Sequence, residues 1–181
     1  MAAVAGYALP IIGFLMVAFA LATAFTSNPK YIYTRPLLIN LLRTDAYRAA
    51  ALVRASKGTY FEAIAGAIKT GGMMDSQDLA VVTSATKPGY DAAGTAVGLK
   101  WNQLVMKGKL GAAMATGGVV MAISGGNYPI VPIVLASICI IGLVWVVLHK
   151  LEVERCIVRA RLEILPEVDR AFVEGRLRKT A

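Results

Sequence analysis

From Leu110 to Leu148 the chain runs for 39 residues without a charged side chain. Crossing a hydrocarbon core of about 30 Å takes about 20 apolar residues, so this stretch is too long for one crossing and suits two. It is interrupted at Ser124-Gly125-Gly126-Asn127-Tyr128-Pro129. Gly-Gly-Asn supplies the backbone freedom of a tight turn, and Pro129 pre-sets the first turn of a following helix. The pattern predicts helices over Leu110–Ile123 and Ile130–Leu148, joined by a hairpin turn at 124–129, with Tyr128 as an interfacial aromatic. Met1 through Pro29 is also free of charge, and Gly6–Phe25 within it is long enough for a first span. A signal peptide would carry a basic residue before its apolar run. None precedes this one, so an uncleaved helix is expected. Hydrophobic residues make up 57% of the 181 and charged ones 17%. A disordered chain would be polar and highly charged, so that class is excluded.

Charge placement sets the expected orientation. All 19 Lys and Arg fall in two segments, Lys30–Lys109 and Lys150–Lys179. With three spans these segments share one side, and the positive-inside rule makes that side the cytoplasm. The N-terminus and the hairpin turn are then outside. The expected fold class is an all-α membrane protein with three transmembrane helices. Residues 1–29 hold the outside N-terminus and first span, 30–109 a helical cytoplasmic loop, 110–148 the hairpin, and 149–181 a helical cytoplasmic tail. The net charge of +8 is accounted for by this topology, and no nucleic-acid partner is expected.

The loop is punctuated. Pro36 suits a first helical position. Leu38, Leu41, Leu42, Ala49, Leu52 and Val53 share a face, with Arg43, Asp45, Arg48 and Arg54 mostly elsewhere. Gly58 stops that helix, and Thr59 with Glu62 forms a capping box for the next, which ends at Gly71-Gly72. A short helix over about Ser76–Thr86 should stop at Lys87-Pro88-Gly89. From Tyr90 the chain looks helical again, with Val97, Trp101, Leu104 and Val105 on one stripe, and can continue through Gly108 into the second span. In the tail, Leu151, Val158, Leu165 and Phe172 recur every seven residues beside Leu162, and Pro166 kinks the helix or starts a new segment. That stripe can pack on the loop of its own chain or on a neighbouring subunit.

Small residues line the spans: Gly111, Ala115, Gly118 and Ala122 in the second, and Gly6, Gly13, Ala20 and Ala24 in the first. Small faces let helices approach closely where lipid competes equally for apolar surface. Contact within the chain and contact between copies both remain open. The three spans contain no Asp, Glu, Lys, Arg or His, and such groups are the usual mark of relays and transport sites. There is no P-loop, since Gly94-Thr95-Ala96-Val97-Gly98 lacks the lysine, and no HExxH or GxSxG. Asp75, Asp78 and Asp91 read as helix caps near turns. His149 and Trp145 read as interfacial or packing residues. Cys139 and Cys156 form no CxxC pair. No catalytic set, metal site or cofactor is expected, and the chain reads as non-enzymatic. Thr23, Thr116, Ser137 and Cys139, the few polar groups within spans, can bond back to their own helices.

This layout resembles the MotA/TolQ/ExbB family of inner-membrane, ion-driven motor subunits, in its TolQ/ExbB branch. Three pieces of sequence carry the resemblance: Pro36-Leu37-Leu38-Ile39-Asn40-Leu41-Leu42-Arg43-Thr44-Asp45-Ala46-Tyr47-Arg48-Ala49, Ala115-Thr116, and Glu152-Val153-Glu154-Arg155. It implies a homo-oligomer, often five copies, around helices of a membrane partner subunit that carries the titrating Asp. It also makes Thr116 and Ser137 the pore-lining candidates. The family's fuller Gly-Leu-Leu-Gly-Thr pattern and its acidic residue in the third span are missing. The expected function is therefore a membrane subunit of a homo-oligomeric complex in the bacterial inner membrane, as a divergent proton-channel motor or an energy-transducing scaffold. The alternative is an accessory or assembly subunit that docks cytoplasmic proteins through its loop and tail. Membrane lipid is the remaining partner.

Overall fold

The computed structural model describes residues 2–27, 30–74, 76–126 and 130–177. All regular structure among them is helical: α1 (Ala2–Thr26), α2 (Tyr31–Thr44), α3 (Ala46–Ala55), α4 (Tyr60–Gly71), α5 (Leu79–Ser124), α6 (Ile130–Glu163) and α7 (Leu165–Val173). The chain packs as two compact units. One comprises Met1–Thr26 and Trp101–Leu151, the other Ser27–Lys100 and Glu152–Ala181. Helices α5 and α6 each contribute to both.

In the first unit three helices meet along small residues. The buried face of α1 is Gly6, Pro10, Gly13, Val17, Ala20 and Ala24, at alternating steps of four and three. That is the spacing of a coiled-coil seam. The matching face of α5 buries Gly108, Gly111, Ala112, Ala115, Gly118 and Ala122. The two backbones nearly touch. A Cβ added to Gly111 would lie 2.6 Å from the Gly13 carbonyl oxygen, and one added to Gly6 would lie 2.9 Å from the Ala122 backbone nitrogen. Gly118 receives the ring of Pro10, and Gly142 of α6 receives Val17 and Leu21. The small-residue face of α5 is thus filled by α1 of the same chain. Cys139 and Ala136 complete this core.

Both α1 and α6 carry a segment long and apolar enough to cross a membrane, and only 28% of each segment is buried. The core helix of a soluble protein would be mostly buried instead. Helix α5, although 46 residues long, carries no such segment, which departs from the three expected spans. Its apolar run begins only after Lys107 and Lys109 and ends at Ser124. That run covers about 22 Å at 1.5 Å per residue and is rich in Gly and Ala. The compact unit also takes in Trp101–Lys109, which the charge pattern assigns to the loop.

In the second unit α2, α3, α4 and α7 surround a core that includes Leu38, Leu42, Val53, Tyr60, Ile64 and Phe172. The helix expected over the leucine-rich segment is two helices. Asp45 breaks it and caps α3, its carboxylate accepting from the Arg48 N–H, as a short acceptor at an N-cap does. Pro36 lies inside α2, which starts at Tyr31 rather than at the proline. The capping box of α4 is shifted by one residue. Thr59 accepts from Phe61 N–H, and Glu62 reaches past Thr59 to the Gly58 N–H at 2.7 Å. Gly58 takes φ +77°, a conformation suited to glycine.

The expected stop at Lys87-Pro88-Gly89 is absent, and α5 runs through Pro88. Tertiary contacts hold the helix there. A Cβ on Gly66 of α4 would lie 2.5 Å from the Gly89 carbonyl, and the Tyr90 hydroxyl donates to the Ile157 carbonyl at 2.6 Å. These outweigh the single backbone bond a proline removes. Continuity through Gly108 is as expected. So is the new segment at Pro166, which sits in the first turn of α7. Asn127, Tyr128 and Pro129 of the hairpin turn, and Asp75, lie outside the described residues.

Substituting Gly111 with Leu should lower the thermal midpoint in detergent, because neither facing backbone can retreat; overpacking of this kind costs about 1–3 kcal/mol. Gly98, also in α5, has open space where its Cβ would be. Gly98→Ala should raise the midpoint through helix propensity, by about 0.5–1 kcal/mol. Equal midpoints for the two variants would contradict the close-contact account.

Candidate functional site

The outer surface of the first unit is apolar. Ile11, Leu15, Phe19, Val120, Ile130 and Ile141 are among its exposed side chains, from 52% to 68% accessible. Near one end sits an aromatic cluster. The Phe25 ring lies 5.5 Å from His149 and 6.3 Å from Trp145, and His149 Nδ1 is 3.1 Å from the Trp145 carbonyl.

Thr116 and Ser137 both lie on exposed faces of this unit. Each hydroxyl is satisfied within its own helix. Thr116 donates to the Ala112 and Ala113 carbonyls at 3.0 Å, and Ser137 to the Ile133 carbonyl at 2.9 Å. Thr23 bonds back to Phe19 in the same way. The packing candidates Gly111, Ala115, Gly118 and Ala122 are all buried. The single chain therefore turns its small residues inward and these hydroxyl-bearing positions outward.

The second unit is held by polar links between distant segments. Asp169 of α7, 5% exposed, accepts from the hydroxyls of Thr83 at 2.9 Å and Thr86 at 2.6 Å. Glu163 accepts from the Tyr31 hydroxyl at 3.0 Å and pairs with Arg35 at 2.5 Å. Thr34 and Tyr60 share a hydrogen bond of 2.5 Å. Arg43 grips Glu167 with two bonds, at 2.7 and 3.2 Å. Burial pushes the Tyr31, Tyr60 and Tyr90 phenols up, Tyr60 to about 12. They therefore stay protonated and serve as fixed donors. The Glu167 carboxyl is held below the usual carboxylate range by the Arg43 hydrogen bonds, against the opposing effect of burial. Burial alone would raise Glu62, but Lys100 and the Gly58 N–H bring it down overall. These groups are paired with one another, and among the described residues no cluster of His, Cys, Asp and Glu is placed to hold a metal ion.

Comparison with known protein families, curated proteins and solved structures returns no match to this chain. The geometry must carry the functional reading.

Several expectations move. Asp78 caps α5 as expected, its carboxylate accepting from Ala80 N–H at 2.9 Å. Asp91 is no cap; it lies within α5 and pairs with Arg161 at 2.8 Å. The heptad stripe of the tail divides. Leu165 and Phe172 are buried, whereas Leu151, Val158 and Leu162 are exposed, Leu162 by 72%. The buried face of α6 there is Val153, Cys156 and Ala160, leading to Ile164. Asp169 is the polar anchor that the sequence pattern obscures. Its signal is an acidic residue on the same helical face as Leu165, Val168 and Phe172.

The Glu167 pair gives a pH dependence. Its folded pKa is depressed, so its contribution is present above the unfolded value of about 4.3 and is lost as pH falls through the folded one. Glu167→Gln should cost about 0.5–1 kcal/mol at neutral pH, since Arg43 is solvent-exposed. The difference from wild type in thermal melting should close in acid. A gap that widens below pH 4 would contradict the assignment.

Proposed function

We propose that the chain is an integral, non-enzymatic subunit of a homo-oligomeric membrane complex. In this reading three helices cross, the N-terminus and hairpin turn lie outside, and the second unit is cytoplasmic. The observation that carries it is the apolar outer surface of the first unit, in which α1 and α6 keep most of their apolar segments unburied. Soluble monomers rarely leave a contiguous apolar surface of this kind uncovered. The concentration of Lys and Arg in two segments supports the orientation. The short apolar run of α5 crosses with the help of its neighbours, because α1 shields one side along the whole Gly13–Gly111 seam.

The resemblance to the MotA/TolQ/ExbB family supports a scaffold for energy transduction in a bacterial inner membrane. Thr116 and Ser137 face away from the chain's own core, so only a neighbouring copy or partner helix can enclose them. No carboxylate lies in the crossing segments. Any proton path would take its titrating group from a membrane partner subunit, with this chain supplying a mildly polar wall. The compact, ion-paired second unit supports the alternative of an accessory subunit that docks cytoplasmic proteins.

Native mass spectrometry of the complex from mild detergent separates the two. Several copies of this chain in one particle are expected. One copy beside other chains would favour the accessory reading.

Orientation is tested in a background with Cys139 and Cys156 replaced. Gly126→Cys should react with an impermeant thiol reagent in intact cells, and Arg48→Cys only after lysis. The reverse pattern would overturn the topology.

A further inference from the structure

The first unit contains Lys107, Lys109 and Lys150 and no Asp or Glu at all. No carboxylate of this unit can therefore pair with Lys107. Lys107 is also deeper than its neighbours in sequence suggest. Helices α1 and α5 run antiparallel, with Gly6 beside Ala122, Pro10 beside Gly118, and Gly13 beside Gly111. Continuing that register brings Lys107 alongside Phe19, and its ammonium sits 5.5 Å from the centre of the Phe19 ring. On α6, Leu143 packs at the level of Gly108, while Trp145 and His149 lie with Phe25. Phe19 precedes Phe25 by six residues, about 9 Å along a helix. The Phe19 ring that the ammonium lies against is thus set back by that distance along α1 from Phe25, toward the middle of the apolar surface.

Beside it is an open cleft of about 270 Å³, lined by Ile12, Leu15, Met16, Phe19 and Lys107. Lys107 is its one polar residue; the rest form an apolar channel along α1. An ammonium in hydrocarbon is costly unless a counter-charge or water reaches it. A phosphate attached to an alkyl chain meets both halves of the cleft at once.

We propose that Lys107 and the Ile12–Leu15–Met16–Phe19 channel form a binding site for an anionic phospholipid, with the phosphate on Lys107 and one acyl chain along α1. Resting on the membrane reading above, the site draws a headgroup inward past the plane of Phe25, Trp145 and His149. It neutralises the Lys107 charge, for which the unit supplies no carboxylate. The Phe19 ring holds the ammonium over its face while the acyl chain passes beside it.

The test uses the full chain purified in a neutral detergent, with phosphatidylglycerol or phosphatidylcholine added. Native mass spectrometry counts retained lipid, and thermal melting follows stabilisation. Wild type should retain phosphatidylglycerol in preference to phosphatidylcholine and melt later in its presence. Lys107→Gln should retain about fivefold less, the factor one basic residue near an anionic surface carries. Lys107→Arg should restore retention, and Lys150→Gln should leave it unchanged. Circular dichroism of each variant in the same detergent reports that the helices are intact. Retention that is equal for the two lipids, or unchanged in Lys107→Gln, would overturn the site. Stabilisation by inorganic phosphate matching that by phosphatidylglycerol would overturn the lipid as its ligand. Release of the chain from membranes by alkaline carbonate would instead sink the membrane reading itself.

Discussion

The structure depends on the approach of two backbones at Gly13 and Gly111. Where the surroundings are as apolar as the helices, burying hydrocarbon gives little reason for helices to associate. Close van der Waals contact has to do so. Glycine and alanine make that contact without side-chain rotamers to immobilise, so the seam forms at no side-chain entropy cost. Once α1 and α5 meet this closely, Val17 and Leu21 are brought over Gly142 and the third helix is placed. Larger residues are thereby turned outward, which gives the unit its apolar exterior.

The second unit solves a different problem. Its helices are short, between 9 and 14 residues for α2, α3, α4 and α7. Isolated helices of that length are marginal in water. Their order comes from tertiary links: Asp169 to Thr83 and Thr86, Glu163 to Tyr31 and Arg35, and Glu167 to Arg43. Each ties the end of the chain to an earlier helix. The chain closes on itself at Gly175, whose φ of +74° turns Leu177 back into the core and lets Arg176 donate to the Leu42 carbonyl.

What could be read from the residues follows from how few conformations each allows. Small residues at steps of four and three in an apolar helix are a packing face, and Gly6, Gly13, Gly111 and Gly118 are used as one. Gly71-Gly72 and Pro166 delimit helices as their chemistry dictates. Pro88 misleads because its local cost is outweighed by the packing of Gly66 on Gly89, two residues far apart in sequence. The tail misleads differently. Apolar residues lie on several faces of α6, so the periodicity admits both Leu151-Val158 and Val153-Cys156-Ala160 as the buried set. Only tertiary contacts choose the second. The outward placement of Thr116 and Ser137 was equally invisible, since hydroxyls satisfied within their own helices favour no direction. The depth of Lys107 depends on a helix pairing that composition does not reveal.

The repeating small-residue seam carries one further consequence. A slide of α1 along α5 by seven residues would set Gly6 against Ala115 and Pro10 against Gly111, small-residue contacts like the native ones, although Gly13 would then meet Leu104. At the Gly6 and Pro10 contacts, shape alone hardly distinguishes that arrangement from the native one. Charge does. In a bilayer the slide would place Lys107 and Lys109 another two turns, about 10 Å, along α1 toward its midpoint. The two lysines act as the stop on a vernier scale whose graduations are otherwise alike.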